Sequence, residues 1–209
     1  MSSNRVLATD DELMEGFVRG DGEAAELLMR RHGGALLGFL VRLLGNYHDA
    51  QEVFQDAFVR LLEKKDSYRP EGTFRGYLFK VAHNLALDRL RHRSVRKEIS
   101  VEGADAEENS YRDIVQIDTQ TPLELLERRE LSRVLEQAVD ELPATLREAF
   151  LLKRYGELDY EQVAKMLDVS VSAAKMRVSR ALDFIENAVG AYIHENSQRH
   201  QLRRRKSVD

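Results

Sequence analysis

The chain has 209 residues, enough for one or two small domains with real cores but not for a single large one. With 33% charged residues, only 3 Pro, and aromatics held to 7% without any Trp, its composition suits an all-helical globular protein. A formal charge of -4 excludes a histone-like polycation, and the absence of Cys excludes disulfides, thiolate zinc sites, iron–sulfur clusters and cysteine nucleophiles.

No N-terminal apolar stretch resembles a signal peptide, and no run approaches the roughly 20 apolar residues of a membrane span. The longest apolar stretch, around Leu36 to Leu44, is interrupted by Gly38 and Arg42. A cytoplasmic protein without membrane insertion is therefore expected. Its charge is segregated: Arg89 to Lys97 is basic, 98–130 acidic and Arg199 to Lys206 basic again. Such asymmetry says more about partners than the net charge does.

In chain order, residues 10–19 predict a first helix, capped by Asp10 and stopped at Gly20. A second runs from about Gly22 through Leu44, with Leu28, Leu36 and Leu40 available to a core. GNYHD reads as a turn. The next helix, 49–63, puts Ala50, Val53, Phe54, Ala57, Phe58 and Leu61 on one face and Asp49, Glu52, Gln55, Asp56 and Arg60 on the other. Pro70 and Gly72 make 64–73 a loop.

Residues 73–93, TFRGYLFKVAHNLALDRLRHR, interleave an aromatic and aliphatic stripe with cations. Phe74, Tyr77, Leu78, Val81 and Leu85 recur at helical steps, while Arg75, Lys80, Arg89, Arg91 and Arg93 surround and extend them. Cations neutralise phosphates and ring faces stack on unpaired bases, so the combination suits single-stranded nucleic acid. A core helix with a solvated basic end accounts for the same residues equally well.

From Glu98 to about Thr121 the pattern dissolves into an acidic, polar stretch too long for an ordinary intradomain connection, and this reads as a linker. Helical pattern resumes at Pro122, again after Pro143 up to Gly156, and in two further helices, DYEQVAKML and VSAAKMRVSRALDFIENAVGAYI. These two are joined by a tight connection at Asp168 to Ser170. Val163, Ala164 and Leu167 are expected to pack on Val171, Ala174 and Val178, leaving Ser172, Ala173, Lys175, Met176, Arg177 and Arg180 outward. That is the layout of a helix-turn-helix whose second helix enters the major groove, although a plain helical hairpin has the same pattern. The last residues, 193–209, have no apolar face and are expected to be a disordered basic tail.

The fold expected is all-α, with two small helical domains joined by a flexible acidic linker and the helix-turn-helix in the second. No strand-like alternation is long enough for a sheet. The 6 His have no metal-site spacing, and no phosphate loop or nucleophile elbow occurs. Neither catalysis nor a cofactor is expected. A regulator that dimerises through its front half and binds only duplex DNA is the remaining rival.

At this point the chain resembles a known family. DAQEVFQDAFVRLLEK, TFRGYLFKVAHNLALDRLR, DELPATLREAFLLKRYGELDYEQVAKML and SVSAAKMRVSRAL, in this order and spacing, resemble an extracytoplasmic-function sigma factor of bacterial RNA polymerase. The resemblance covers about residues 10–97 and 123–190. It implies a region 2 domain over 1–97, an acidic linker over 98–122, a region 4 domain over 123–192 and a basic tail over 193–209. Core RNA polymerase and promoter DNA are the implied partners, with an anti-sigma factor that holds the protein inactive by covering its polymerase-binding faces.

By the same resemblance, Asp49, Glu52, Gln55 and Asp56 contact polymerase, or are simply a solvated face. Lys65, Ser67 and Tyr68 help form a pocket for a flipped base, Phe74 and Tyr77 support it, and Phe79 belongs to the pocket or to the core. Asn84 contacts a base of the upstream-ten element, with Lys80 beside it, and Arg89, Arg91 and Arg93 bind phosphates. Lys175, Arg177 and Arg180 match basic positions that read the upstream-thirty-five element, with Ser172, Ala173 and Met176 at base edges or methyl groups and Arg154 and Tyr155 at the backbone. The chain departs from the family pattern in having Asp168 for the usual glycine and Leu182 for a frequent arginine. The acidic linker resembles a segment that threads the polymerase's RNA path, and an indifferent tether explains it as well. The basic tail lies outside the resemblance: nonspecific DNA affinity, another partner or no role are all open.

Overall fold

The computed structural model describes residues 8–64, 73–99 and 122–206, with side chains over 8–64, 73–94 and 130–194. All elements among them are helices: α1 Asp10–Val18, α2 Gly22–Leu44, α3 Tyr47–Glu63, α4 Phe74–Ile99, α5 Pro122–Asp140, α6 Ala144–Arg154, α7 Tyr160–Met166 and α8 Val171–Lys206. They form two compact units. The first comprises the front of the chain together with residues 151–171, and the second comprises 110–150 together with 172–209. The packing units thus do not follow the chain-order division, because the end of α6 and all of α7 belong to the first.

In the first unit, short-range chemistry sets the helix ends. The cap of α1 is Thr9, one residue before the expected Asp10. Thr9 N–H donates to Glu12 Oε2 at 2.7 Å, and Glu12 N–H donates to Thr9 Oγ1 at 3.3 Å, a reciprocal capping box. Gly20, at φ +95, makes the turn into α2, whose first turn is capped by Asp21. Gly45, at φ +65, ends α2, and Asn46 then accepts from Asp49 N–H at 2.9 Å. That cap starts α3 at Tyr47, so the expected GNYHD turn contracts to two residues.

The core of this unit is made by Leu28, Leu36, Phe39 and Leu40 of α2, Ala50 and Ala57 of α3, and Phe74, Leu78, Phe79 and Ala82 of α4, all buried. Phe39 and Phe79 meet at 5.3 Å between ring centroids. Fully burying a side chain of this size contributes roughly 1.5–3 kcal/mol, so these contacts rather than helix propensity hold the helices together. Phe79 is therefore core.

Residues 151–171 are secured to the same unit by Arg75. Its Nη2 donates to the Tyr155 carbonyl at 2.6 Å and its Nε to the Gly156 carbonyl at 2.7 Å. The Tyr155 ring lies against Gly38, where a Cβ would come within 3.2 Å of it. After Leu158, Asp159 and Gln162 form a second capping box and start α7. Helix α7 ends in a Schellman turn: Val169 N–H donates to the Ala164 carbonyl at 3.0 Å while Asp168 takes φ 50. Asp tolerates this left-handed position better than most residues do, so the turn forms without a glycine.

In the second unit, Ala138 and Val139 at the end of α5, Leu142 in the turn after it, Ala149 in α6, and Ala174, Val178, Ala181 and Ile185 in α8 are buried. Arg147 closes the α5–α6 turn by donating to the carbonyls of Val139 and Leu142, each at 3.1 Å, and to that of Asp140. Tyr192 donates to Glu130 Oε2 at 2.9 Å. Helix α8 does not end near Tyr192 but continues through residues expected to be disordered, as far as Lys206. Val171, expected in the interior, is exposed. The acidic segment 100–121 lies outside the described residues.

Candidate nucleic-acid interface

Helix α4 sorts its side chains by period. Phe74, Leu78, Phe79, Ala82, His83 and Ala86 point inward, and Lys80, Asn84, Asp88 and Arg91 emerge on the outside. Steps of four, four and three place these exposed residues along one stripe. Lys80 and Asn84 thus stand as neighbours, one cationic and one with an amide able both to donate and to accept. Arg91 Nη1 pairs with Asp88 Oδ1 at 3.0 Å in a largely exposed contact. Tyr77 is half-buried, and burial pushes its phenol pKa up.

Phe74, expected either to support a base pocket or to belong to a core stripe, lies in the core. It is 1% exposed, with its ring 5.4 Å from that of His32, so it cannot present a face to DNA. Lys65, Ser67 and Tyr68 lie outside the described residues.

Arg89 and Arg93 are engaged otherwise than expected. Arg89 Nε donates to Asp49 Oδ1 at 2.8 Å, and its Nη2 reaches the same oxygen at 2.7 Å and also Glu52 Oε2. Its pKa is raised, first by the hydrogen bond to Asp49. Arg93 Nη1 stands 3.7 Å from Asp49 Oδ2, and His48 Nδ1 stands 3.5 Å from Glu52 Oε1. His48, Asp49 and Glu52 bring three ligand-type groups together, but guanidinium groups already compensate the carboxylates. Gln55 and Asp56, also on α3, are exposed, as are the apolar Val59 and Leu62 beyond them.

In the other candidate surface, Ser172, Lys175, Met176 and Arg180 are exposed at the start of α8, while Ala173 and Arg177 are half-buried. Glu148, on α6, lies close enough to Arg177 to feel its charge. Burial raises the carboxyl pKa and the guanidinium partly opposes the shift. Arg154 is exposed, its guanidinium carbon 5.9 Å from the Tyr155 ring centroid.

Periodicity found only part of the inward face of α4, since Phe74 and Leu78 are buried but Tyr77, Val81 and Leu85 are half-buried. It missed the contacts of Arg75 and Arg147 and that of His32 Nε2 with Asp10 Oδ2. It predicts which residues leave solvent, whereas these groups find partners set by tertiary placement.

A cationic, amide-bearing stripe on one helix and a basic helix start after a tight turn are chemically suited to nucleic acid. A sigma-70 region 2 model matches residues 28–96, and a sigma-70 region 4 model matches residues 132–185. The RNA polymerase sigma-H factor of Pseudomonas aeruginosa is 29% identical over 186 residues, which is 89% of this chain and 96% of that one. The ECF RNA polymerase sigma-E factor of Escherichia coli K12 is 29% identical over 181 residues, 87% of this chain and 94% of that one. The solved structure of CnrH in complex with the cytosolic domain of CnrY shares the fold, with a TM-score of 0.59 and 23% identity across 87% of this chain and 97% of that one. So does the sigma factor RpoE in complex with the anti-sigma factor NepR from Bartonella quintana, at 0.59 and 21%, across 79% and 96%.

The chain belongs to the extracytoplasmic-function sigma factors and directs promoter-specific initiation of transcription by RNA polymerase. This family regulates initiation rather than carrying out the chemistry of synthesis. No helix among the described residues is long and apolar enough to cross a membrane.

Proposed function

We propose that the two matched regions divide promoter recognition between melted and intact DNA. Residues 1–97 bind core polymerase and open the upstream-ten element, and 123–192 read the upstream-thirty-five element as duplex. Lys80, Asn84 and Arg91 meet the separated strand, with Tyr77 alongside and Lys65 and Tyr68 completing the contact. Ser172, Ala173, Lys175, Met176, Arg177 and Arg180 address the major groove, and Arg154 the backbone. Gln55 and Asp56 meet polymerase. The observation that carries this reading is that Lys80 and Asn84, one turn apart on α4, are both exposed, opposite a face committed to the core.

The protein acts in the cytoplasm, has no catalytic activity of its own and is restrained by an anti-sigma partner. Support for the partner comes from the relatives, since CnrH and RpoE were each solved with a bound protein, CnrY and NepR. The segment 98–122 links the two regions, and the basic residues after 193 lie beyond both.

Run-off transcription with core enzyme and a promoter library tests the proposal, with permanganate footprinting of unpaired thymines. Core enzyme gains initiation from the parent protein, and Asn84→Ala loses strand opening while still binding core. Normal opening by Asn84→Ala overturns the assignment on α4. Tight operator binding by the free chain, with no initiation gained, favours the duplex-only regulator instead.

A further inference from the structure

We propose that Arg89 is a positioning residue for strand opening, bracing the melting helix α4 against α3 through Asp49 and Glu52 rather than binding a phosphate. Asp49 and Glu52 thereby become the other half of that brace. The inference rests on the reading above, in which the outer stripe of α4 meets the separated strand.

Three observations carry it. Arg89 makes two contacts with Asp49, at 2.8 Å from Nε and 2.7 Å from Nη2, and reaches Glu52 with the same Nη2. Asp49 is only 19% exposed and also faces Arg93 at 3.7 Å, so its charge is compensated within the protein and little of it is left for an outside partner. Finally, Arg89 stands outside the stripe: Lys80, Asn84 and Arg91 are exposed, whereas Arg89 is half-buried against α3.

A planar guanidinium joined to carboxylates on a neighbouring helix fixes the rotation and axial position of its own helix better than a point charge does. Because α4 also carries Asn84 five residues before Arg89, a loosened brace misplaces the amide. Phosphate binding makes a different prediction. Any cation at position 89 would then serve, and its loss would reduce counterion release on binding.

The test uses holoenzyme reconstituted from core polymerase and the full chain. Measured are core affinity, the salt dependence of promoter binding and the fraction of promoter opened at saturating holoenzyme. Arg89→Gln should reduce opening by roughly fivefold, the size expected of a well-oriented ion-pair network. The slope of log affinity against log salt should be unchanged. Asp49→Asn with Glu52→Gln should reproduce the loss of opening, and the triple variant should be no worse than either, as groups acting together require. Arg89→Lys should restore opening only partly, and it supplies the same readouts if Arg89→Gln folds poorly.

A salt slope shallower by about one in Arg89→Gln, with full rescue by lysine and normal opening by the carboxylate variant, overturns the proposal in favour of a phosphate contact. Unaltered opening in Arg89→Gln also overturns it. Failure of the underlying reading is distinguishable, since Lys80→Ala and Asn84→Ala would then open promoters normally whatever Arg89 does.

Discussion

His32 Nε2 lies 2.6 Å from Asp10 Oδ2, joining the first turn of α1 to the middle of α2. His32 is 5% exposed and its ring lies tilted at 51° against that of Phe74, while Arg31 also reaches Asp10, at 2.9 Å. Burial pulls the His32 pKa down, and Asp10 only partly opposes it. Replacing Asp10 strands a buried ring nitrogen whose companion, Nδ1, already lacks a hydrogen-bond partner. Asp10→Ala should therefore destabilise the protein by about 1–3 kcal/mol in urea unfolding at neutral pH.

His83 gives a sharper pH dependence. Both ring nitrogens are buried without a hydrogen-bond partner, and desolvation lowers its pKa from 6.5 to about 4. The folded protein therefore binds fewer protons here than the unfolded chain does. Stability from this group is complete above 6.5 and is lost as pH falls through about 4, in total about 3 kcal/mol. His83→Leu should be at least as stable at neutral pH and lose much less stability on acidification. Urea midpoints measured down this range check both outcomes.

Lys80 and Asn84 should fail differently although they are neighbours. Lys80→Ala should weaken promoter binding on all sequences and reduce the salt slope by about one. Asn84→Ala should leave that slope intact and change which upstream-ten bases support opening. Titrations of holoenzyme on matched and altered promoters separate the two.

Arg177→Ala should weaken upstream-thirty-five recognition by about 1–3 kcal/mol and relax base preference there. Glu148→Gln, which removes the charge Arg177 feels from α6, should have a smaller effect of the same kind. Competition binding against altered upstream-thirty-five sequences measures each change.

At the corner after α6, a Cβ on Gly156 would collide with the Leu152 carbonyl and come within 2.9 Å of Leu158 Cγ. Gly156 also supplies one of the carbonyls held by Arg75. Gly156→Ala should cost about 1–3 kcal/mol, the usual penalty for overpacking, visible as a lower thermal midpoint.

Much of this architecture is legible in the sequence. The apolar steps of α2, the stops at Gly20 and Gly45 and the tight turn at Asp168 rest on local chemistry and need only a few neighbouring residues, and the expected cap of α1 is misplaced by one residue, from Thr9 to Asp10. Although Tyr77, Val81 and Leu85, expected on the apolar stripe, are only half-buried, the exposed Lys80 and Asn84 of α4 were readable as polar positions. Phe74 and Arg89 were not, because an aromatic ring or a guanidinium is equally at home in a core, in an ion pair or on DNA. Their partners, His32 for one and Asp49 for the other, lie about 40 residues away in the chain. The length of α8 escaped a reading based on apolar pattern, because a polar, basic stretch can remain helical without an inward face to advertise it.

That length has a mechanical consequence. An unbroken helix of 36 residues measures about 54 Å, so its near and far ends turn together like the two arms of a lever. A tilt of about 10° at Val171 sweeps Lys206 through roughly 9 Å. A dye placed on the distal arm would magnify small reorientations of the basic end into readily observed displacements.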